Sequence, residues 1–191
     1  MRLFVALPLP NAVRTALAEI CGGIAGARWI EPENFHITMR FVGDAARAEA
    51  DDLHTELSAI RFPEFEIALR GIGMFERRGH VHMLWADLDM AEPVVELHDR
   101  IEVAALRAGF QREQRKFKPH ITLCRFKSNS MPDIGSYLEM NNAFSTPSFT
   151  INRFNLYQSQ LGHGGARYDI LSEYPLEQLV YYGAEAVGFV D

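Results

Sequence analysis

Apolar positions recur along the chain with two different periods. Residues 11–22 carry Val13, Leu17 and Ile20 at helical spacing, with Asn11 placed to cap the start and Gly22 and Gly23 to end it. Residues 45–59, rich in Ala, Glu and Leu, read as an exposed helix. Residues 92–108 show a clear stripe of Val94, Leu97, Ile101 and Ala105, with Pro93 in the first turn and Gly109 at the stop. A short helix is expected over 132–141, after Pro132. Between these lie runs with β-strand character: 2–7, 29–30, 35–42, 65–69, 81–88, 120–126, 149–158 and 167–175. Glu31-Pro32-Glu33-Asn34 reads as a turn. Glu76-Arg77-Arg78-Gly79 predicts a hairpin, and the last two strands flank a glycine-rich loop, Leu161-Gly162-His163-Gly164-Gly165. The segment after Pro175 is either an apolar extension that packs back or a frayed end.

This mixture predicts an α+β fold. Two of the strands share a phrase: His36-Ile37-Thr38-Met39-Arg40-Phe41 and His120-Ile121-Thr122-Leu123-Cys124-Arg125-Phe126. They occupy similar places in two rough halves that otherwise share little sequence, so the expected repeat is structural. The expected organisation is one bilobal domain over 1–191, each lobe carrying one His-x-Thr strand, at 36–39 and at 120–123.

Composition narrows the class. The chain has 191 residues, 48% of them hydrophobic and 23% charged, enough to bury a substantial core. No stretch is long and apolar enough to span a membrane. The opening Met1 to Pro10 has too short an apolar run, broken by Pro8 and Pro10, to serve as a secretory leader and is expected to be a strand. Cys21 and Cys124 suggest neither a disulfide framework nor a zinc knuckle, which points to a reducing, cytoplasmic home. The net charge of −6 argues against a general nucleic-acid coat protein. The charge is uneven, however. Arg112, Arg115, Lys116, Lys118, Arg125 and Lys127 face a single acid, Glu113, so residues 111–127 carry +5 and the remainder −11. That segment is a solvated loop and strand end, or an anion or RNA-backbone site beside the second histidine.

The doubled phrase carries the chemistry. Side chains alternate faces along a strand, so His36 shares a face with Thr38, and His120 with Thr122. A chain this long should hold about half of one His-x-Thr by chance at average residue usage. Two copies with matched Ile, an apolar fourth residue and a following Arg-Phe are much rarer. Two buried strands whose His and Thr satisfy each other are the structural alternative. If the two polar faces converge, two imidazoles and two hydroxyls meet. Histidine serves as acid or base near neutral pH, and hydroxyls donate to the non-bridging oxygens of a phosphate. Arg125 would add a guanidinium contact. Strict alternation points it to the wrong face, so a bulge or strand end must turn it inward.

These residues resemble the 2H phosphoesterases, and within them the RNA 2′,3′-cyclic phosphodiesterases once described as 2′-5′ RNA ligases. The similarity spans most of the chain: the opening Arg2 to Pro10, Arg28-Trp29-Ile30 with Pro32 through Gly43, Leu84-Trp85-Ala86, Phe117 through Arg125, and the ending from Leu161 to Tyr168. The resemblance implies two antiparallel sheets facing across a central cleft, with helices outside. It implies His36 as general acid and His120 as general base, Thr38 and Thr122 as phosphate holders, Arg125 as an assistant, and neither metal nor cofactor. Cys124 departs from the small residue, often Ala, of that family and puts a thiol on the expected catalytic face.

The first expectation is therefore hydrolysis of RNA 2′,3′-cyclic phosphate ends to 2′-phosphates by a monomer. A second keeps the site and changes the substrate to a 2′-5′ phosphodiester, joined or cleaved, or to a small cyclic nucleotide. A third is an RNA-end binding protein without turnover; intact paired imidazoles speak against it, because Arg and Lys serve simple capture better. Other features carry less. His80-x-His82 with Asp87 and Asp89 lacks a third ligand at metal-site spacing and reads as hairpin surface. His54 and His98 are helical polar positions, and His163 is a turn residue or a loop group brushing substrate. Gly71-Ile72-Gly73 lacks the strand–helix context of a nucleotide fingerprint. Phe4, Phe41, Trp85 and Phe126 offer either a base-stacking surface or core packing.

Overall fold

The structure, a computed structural model, describes residues 1–127, 132–162 and 165–178. The described strands are β1 (Arg2–Pro8), β2 (Arg28–Trp29), β3 (His36–Asp44), β4 (Phe65–Arg77), β5 (His80–Asp89), β6 (Ile121–Arg125), β7 (Phe149–Ile151), β8 (Arg153–Gly162) and β9 (Gly165–Pro175). The helices are α1 (Asn11–Glu19), α2 (Arg47–Ser58), α3 (Glu92–Arg107) and α4 (Gly135–Asn141). The expected α+β class is what the structure has. The strands run in the order β7-β4-β5-β6-β3-β1-β8-β9, with β2 paired to β6. Every ladder between these strands is antiparallel.

The two His-x-Thr strands are neighbours at the centre. β3 and β6 pair through one residue couple, Ile37 with Ile121, and then separate. The two sheets expected to face across a cleft are thus joined edge to edge at this point, and the cleft opens where the strands part. β2 occupies the wedge, with Arg28 opposite Arg125 and Trp29 opposite Cys124.

One face of the sheet is apolar. Ile37 and Met39 of β3, Ile121 and Leu123 of β6, and Ala86 of β5 pack with Val13 and Leu17 of α1, Leu53 and Leu57 of α2, and Val94, Leu97, Ile101 and Ala105 of α3 in one buried cluster. Burying each of these branched chains stabilises the fold by about 1.5–3 kcal/mol. The helical stripe on α3 is the one its spacing predicts. With the helices covering the apolar face, the histidine face is left open.

Three local expectations change. Asn11 begins α1 rather than capping it; Pro10 holds the cap position, and the Asn11 carboxamide accepts from Arg14 instead. The strand expected over 149–158 breaks at Asn152, because its first part pairs with β4 and the rest with β1 and β9. The hairpin at 76–79 forms, with positive φ at Arg78 and Gly79, the left-handed pair a two-residue hairpin turn requires. After β9, the Glu177 amide donates to the Phe62 carbonyl at 2.9 Å. Residues 179–191 and His163, for which packing or substrate contact was considered, lie outside the described residues. Among the described residues no helix is long and apolar enough to cross a membrane.

Gly73 sits directly across from Trp85, and a Cβ there would lie only 2.2 Å from the indole Cζ2, far inside contact distance. Gly73→Ala is therefore expected to push the indole off the sheet, at a cost of about 1–3 kcal/mol. Thermal unfolding of the variant checks this; an unchanged Tm would mean the ring moves freely.

Candidate active site

The histidine strands depart from regular alternation at matching points. In β6, Trp85 faces Thr122 but Leu84 faces Cys124, so Leu123 is an extra residue in that strand. In β3, Ala6 faces Thr38 but Val5 faces Arg40, leaving Met39 as the extra residue. A bulge shifts all following side chains to the other face. Arg125 thereby turns into the cleft with Thr122, as the phosphate reading needs. Cys124 turns away into the buried cluster with Leu84, Phe126 and Tyr137, which corrects its expected position on the catalytic face. Burial there pushes its thiol up to about 11, which suppresses thiolate chemistry.

The cleft is lined by His36, Thr38, Thr122 and Arg125 in one cavity of about 500 Å³. It continues into a second of about 390 Å³ that contains His120 and shares Thr38, Phe41, Arg115, Thr122 and Arg125 with the first. All five sequence-predicted site residues thus border one space.

The two imidazoles are held alike. His36 Nδ1 lies 2.7 Å from the Asn34 carbonyl, and His120 Nδ1 lies 2.7 Å from the Lys118 carbonyl, each two residues earlier in the chain. A carbonyl only accepts, so both rings carry their proton on Nδ1 when neutral, and Nε2 is left as the working lone pair. The Thr38 hydroxyl is 3.0 Å from His36 Nε2. Among the described residues Thr122 donates to the Met83 thioether at 3.6 Å, a weak acceptor that a phosphate oxygen would displace.

Aromatic rings fix each histidine from beside and below. His36 meets Phe4 at 5.1 Å and the edge of Tyr168 at 5.4 Å between centroids. His120 meets Phe75 at 5.1 Å and Trp85 at 5.9 Å. Burial among these rings disfavours the imidazolium. It pushes His36 down to about 4 against the pull of the Asn34 carbonyl, with Arg125 and His120 adding repulsion. His120 is lowered by burial too, and by Arg125 and Lys118, while the Lys118 carbonyl and Asp87 oppose the shift. In the free protein both rings are neutral at neutral pH.

Of the four aromatics considered for stacking, Phe4 and Trp85 are buried floor residues, and Phe126 belongs to the core behind the sheet. Phe41 alone of the four is open, at 51% exposure. His82 lies beside Phe75 and borders the cleft rather than the outer hairpin surface. His98 stacks on Phe117 at 3.8 Å, and His54 bonds to the Tyr174 hydroxyl. Among the described residues no three His, Cys, Asp or Glu side chains converge on a point where an ion would sit. Sequence reasoning singled out neither Tyr168 nor Phe75 for the cleft. It read Arg115 and Lys118 only as members of a basic segment, either a solvated loop or an anion site; Lys118 Nζ lies 4.0 Å over Trp85.

The profile of the LigT like Phosphoesterase family matches residues 7–85 and 87–168. The chain belongs to this family. Each match contains one His-x-Thr strand. An RNA 2′,3′-cyclic phosphodiesterase of Aeropyrum pernix is 33% identical over 146 residues, 75% of this chain and 83% of that protein. The protein of the same name from Escherichia coli is 30% identical over 186 residues, 93% of this chain and 97% of its own length. The crystal structure of E. coli LigT complexed with 3′-AMP superposes with a TM-score of 0.74 at 27% identity, covering 93% of this chain and 98% of that one. LigT-like architecture thus accounts for the open sheet face and its outer helices.

Proposed function

We propose that this LigT-like protein hydrolyses RNA 2′,3′-cyclic phosphate ends to 2′-phosphomonoesters, with His36 and His120 as acid and base and without a metal. The observation that carries the reading is the matched pair of imidazoles. Both are oriented by a carbonyl at Nδ1, and both border a cleft that also holds two hydroxyls and one guanidinium. The names of the relatives support the substrate. The two family matches, one for each His-x-Thr strand, support treating residues 1–191 as one bilobal unit.

His120 Nε2, neutral, takes a proton from water as the water oxygen bonds to phosphorus. The bond from phosphorus to O3′ breaks, its electron pair goes to O3′, and protonated His36 Nε2 delivers a proton there. The products are a 2′-phosphate and a free 3′-hydroxyl. One proton has moved from His36 to His120, and exchange with solvent resets the pair. Thr38, Thr122 and Arg125 donate to the non-bridging oxygens, where negative charge builds. The anionic substrate offsets the burial and the cationic repulsion that keep His36 neutral in the free protein.

The test is turnover of an oligoribonucleotide ending in a 2′,3′-cyclic phosphate, in excess chelator, with the 2′- and 3′-phosphate products resolved. A 2′-phosphate product at a chelator-independent rate is expected. A 3′-phosphate, or loss of activity with chelator, would overturn the mechanism. No turnover by the folded protein would overturn the substrate.

A further inference from the structure

The two imidazoles are alike in their hydrogen bonds but not in their charged neighbours. Arg125 repels a proton on either ring. His36 otherwise stands among the neutral rings Phe4, Tyr157 and Tyr168. Arg2 and Arg115 border its cavity from exposed positions, and Arg115 is paired with Glu113 at 3.0 Å. His120 has a cation close by. Lys118 Nζ lies 4.0 Å from the centroid of the Trp85 ring and 5.8 Å from that of Phe75. Those are the two rings that His120 meets, at 5.9 and 5.1 Å. Ammonium and imidazole thus rest on one aromatic floor.

The fold fixes this placement. Lys118 and His120 are two residues apart, and the Lys118 carbonyl accepts from His120 Nδ1 at 2.7 Å. Trp85 is buried and packs against Gly73, where no side chain intervenes. The ring quadrupole attracts the ammonium and holds it over the indole face. The other titratable groups around His120 are His36 of β3, His82 and Asp87 of β5, His98 of α3, Lys116 of the preceding loop and Arg125. Glu113 with Arg115, and Glu102 with Arg40, are paired with each other. Asp87 pulls against Lys118, and more weakly.

We propose that Lys118 is a positioning residue that divides one proton unequally between the two imidazoles, disfavouring it on His120. The reaction proposed above, on which this rests, needs that proton on His36 Nε2 and a free lone pair on His120 Nε2. Hydrogen bonding does not choose between the rings, because each donates from Nδ1 to a carbonyl at the same distance. Arg125 acts on both. Burial alone favours the wrong ring, because His36 is the more deeply enclosed. An ammonium beside His120 penalises imidazolium there and works against that bias. Lys118 is exposed, so salt screens its charge, and the expected bias is about 3- to 10-fold.

The experiment compares the wild type, Lys118→Met and Lys118→Arg on two substrates and by histidine NMR titration. A nitrophenyl phosphodiester releases nitrophenolate without a proton, so only a neutral His120 is required and kcat/KM rises with pH as that ring loses its proton. Lys118→Met should move this limb to higher pH. On a cyclic phosphate end it should lower the maximal kcat/KM by about 3- to 10-fold, the bias it removes. Lys118→Arg keeps a cation that stacks on an indole and should hold both readings near wild type. In the NMR titration of Lys118→Met, His120 should take its proton at higher pH while His36 stays or moves down. A limb unmoved in Lys118→Met overturns the proposal. So does a fall of equal size at every pH with the limb in place, which would mark a substrate contact, or an equal rise of both imidazoles. If neither substrate turns over and His120 alone rises, the proposed reaction falls and the division of the proton stands.

Discussion

His120→Ala and His36→Ala are each expected to lower kcat on a cyclic phosphate end by about 10²- to 10⁴-fold, the usual contribution of a positioned acid or base. KM should change little, because a neutral imidazole adds little to ground-state binding. The double variant should be scarcely worse than the poorer single one, since either loss already stops the relay. Single-turnover rates in excess chelator measure all three. The roles separate through the leaving group. The nitrophenolate of a nitrophenyl phosphodiester departs without a proton, so His36→Ala should recover most of its rate on that substrate and His120→Ala should not. The opposite pattern would exchange the two assignments, and near-wild-type rates in both variants would sink the two-histidine mechanism. His36 packs against Phe4 and Tyr168, so His36→Asn serves as a second variant with less disturbance of the packing.

Local features were legible in the sequence because their causes are local. The α3 stripe, the 76–79 hairpin and the shared face of His and Thr all follow from periodicity and turn chemistry. The placement of Arg125 did not. Its face depends on an extra residue at Leu123, and that extra residue exists only relative to the partner strand β5. The same register shift moved Cys124 from the expected catalytic face to the core, so one unseen bulge explains both differences. The joining of the two expected sheets rests on a single pair, Ile37 with Ile121, which leaves no periodic trace. The basic segment was visible as charge, but which cations reach the cleft was not. Arg115 is delivered by a chain of contacts through Glu113, Glu102 and Arg40, residues from a loop, a helix and a strand far apart in sequence. The split of 149–158 at Asn152 likewise reflects a change of partner strand rather than a break in alternation.

The pH dependence should reveal how the cleft treats its two imidazoles. The proposed reaction needs one ring protonated and the other neutral. Burial and Arg125 lower both in the free protein, His36 to about 4. The profile belongs to the coupled pair. Above the higher of its two values the protonated fraction falls tenfold per pH unit, so kcat/KM should decline from a point below pH 6.5. A bound phosphate anion favours imidazolium, so the basic limb of kcat should lie at higher pH than that of kcat/KM. Arg125→Gln removes one cause of the lowering at both rings. It should move both limbs upward in pH while reducing kcat/KM at the optimum about 10- to 100-fold through the lost charged hydrogen bonds. Limbs unmoved by Arg125→Gln would mean that its charge does not reach the histidines. Stability should follow the same group with its own sign. The unfolded chain protonates His36 near 6.5 and the folded one near 4, so that contribution is full above 6.5 and is lost as pH falls toward 4. His36→Asn should flatten this part of the stability curve. The variant would then hold its fold better in acid than the wild type does, relative to each at neutral pH, and would lack the proton that ring opening requires.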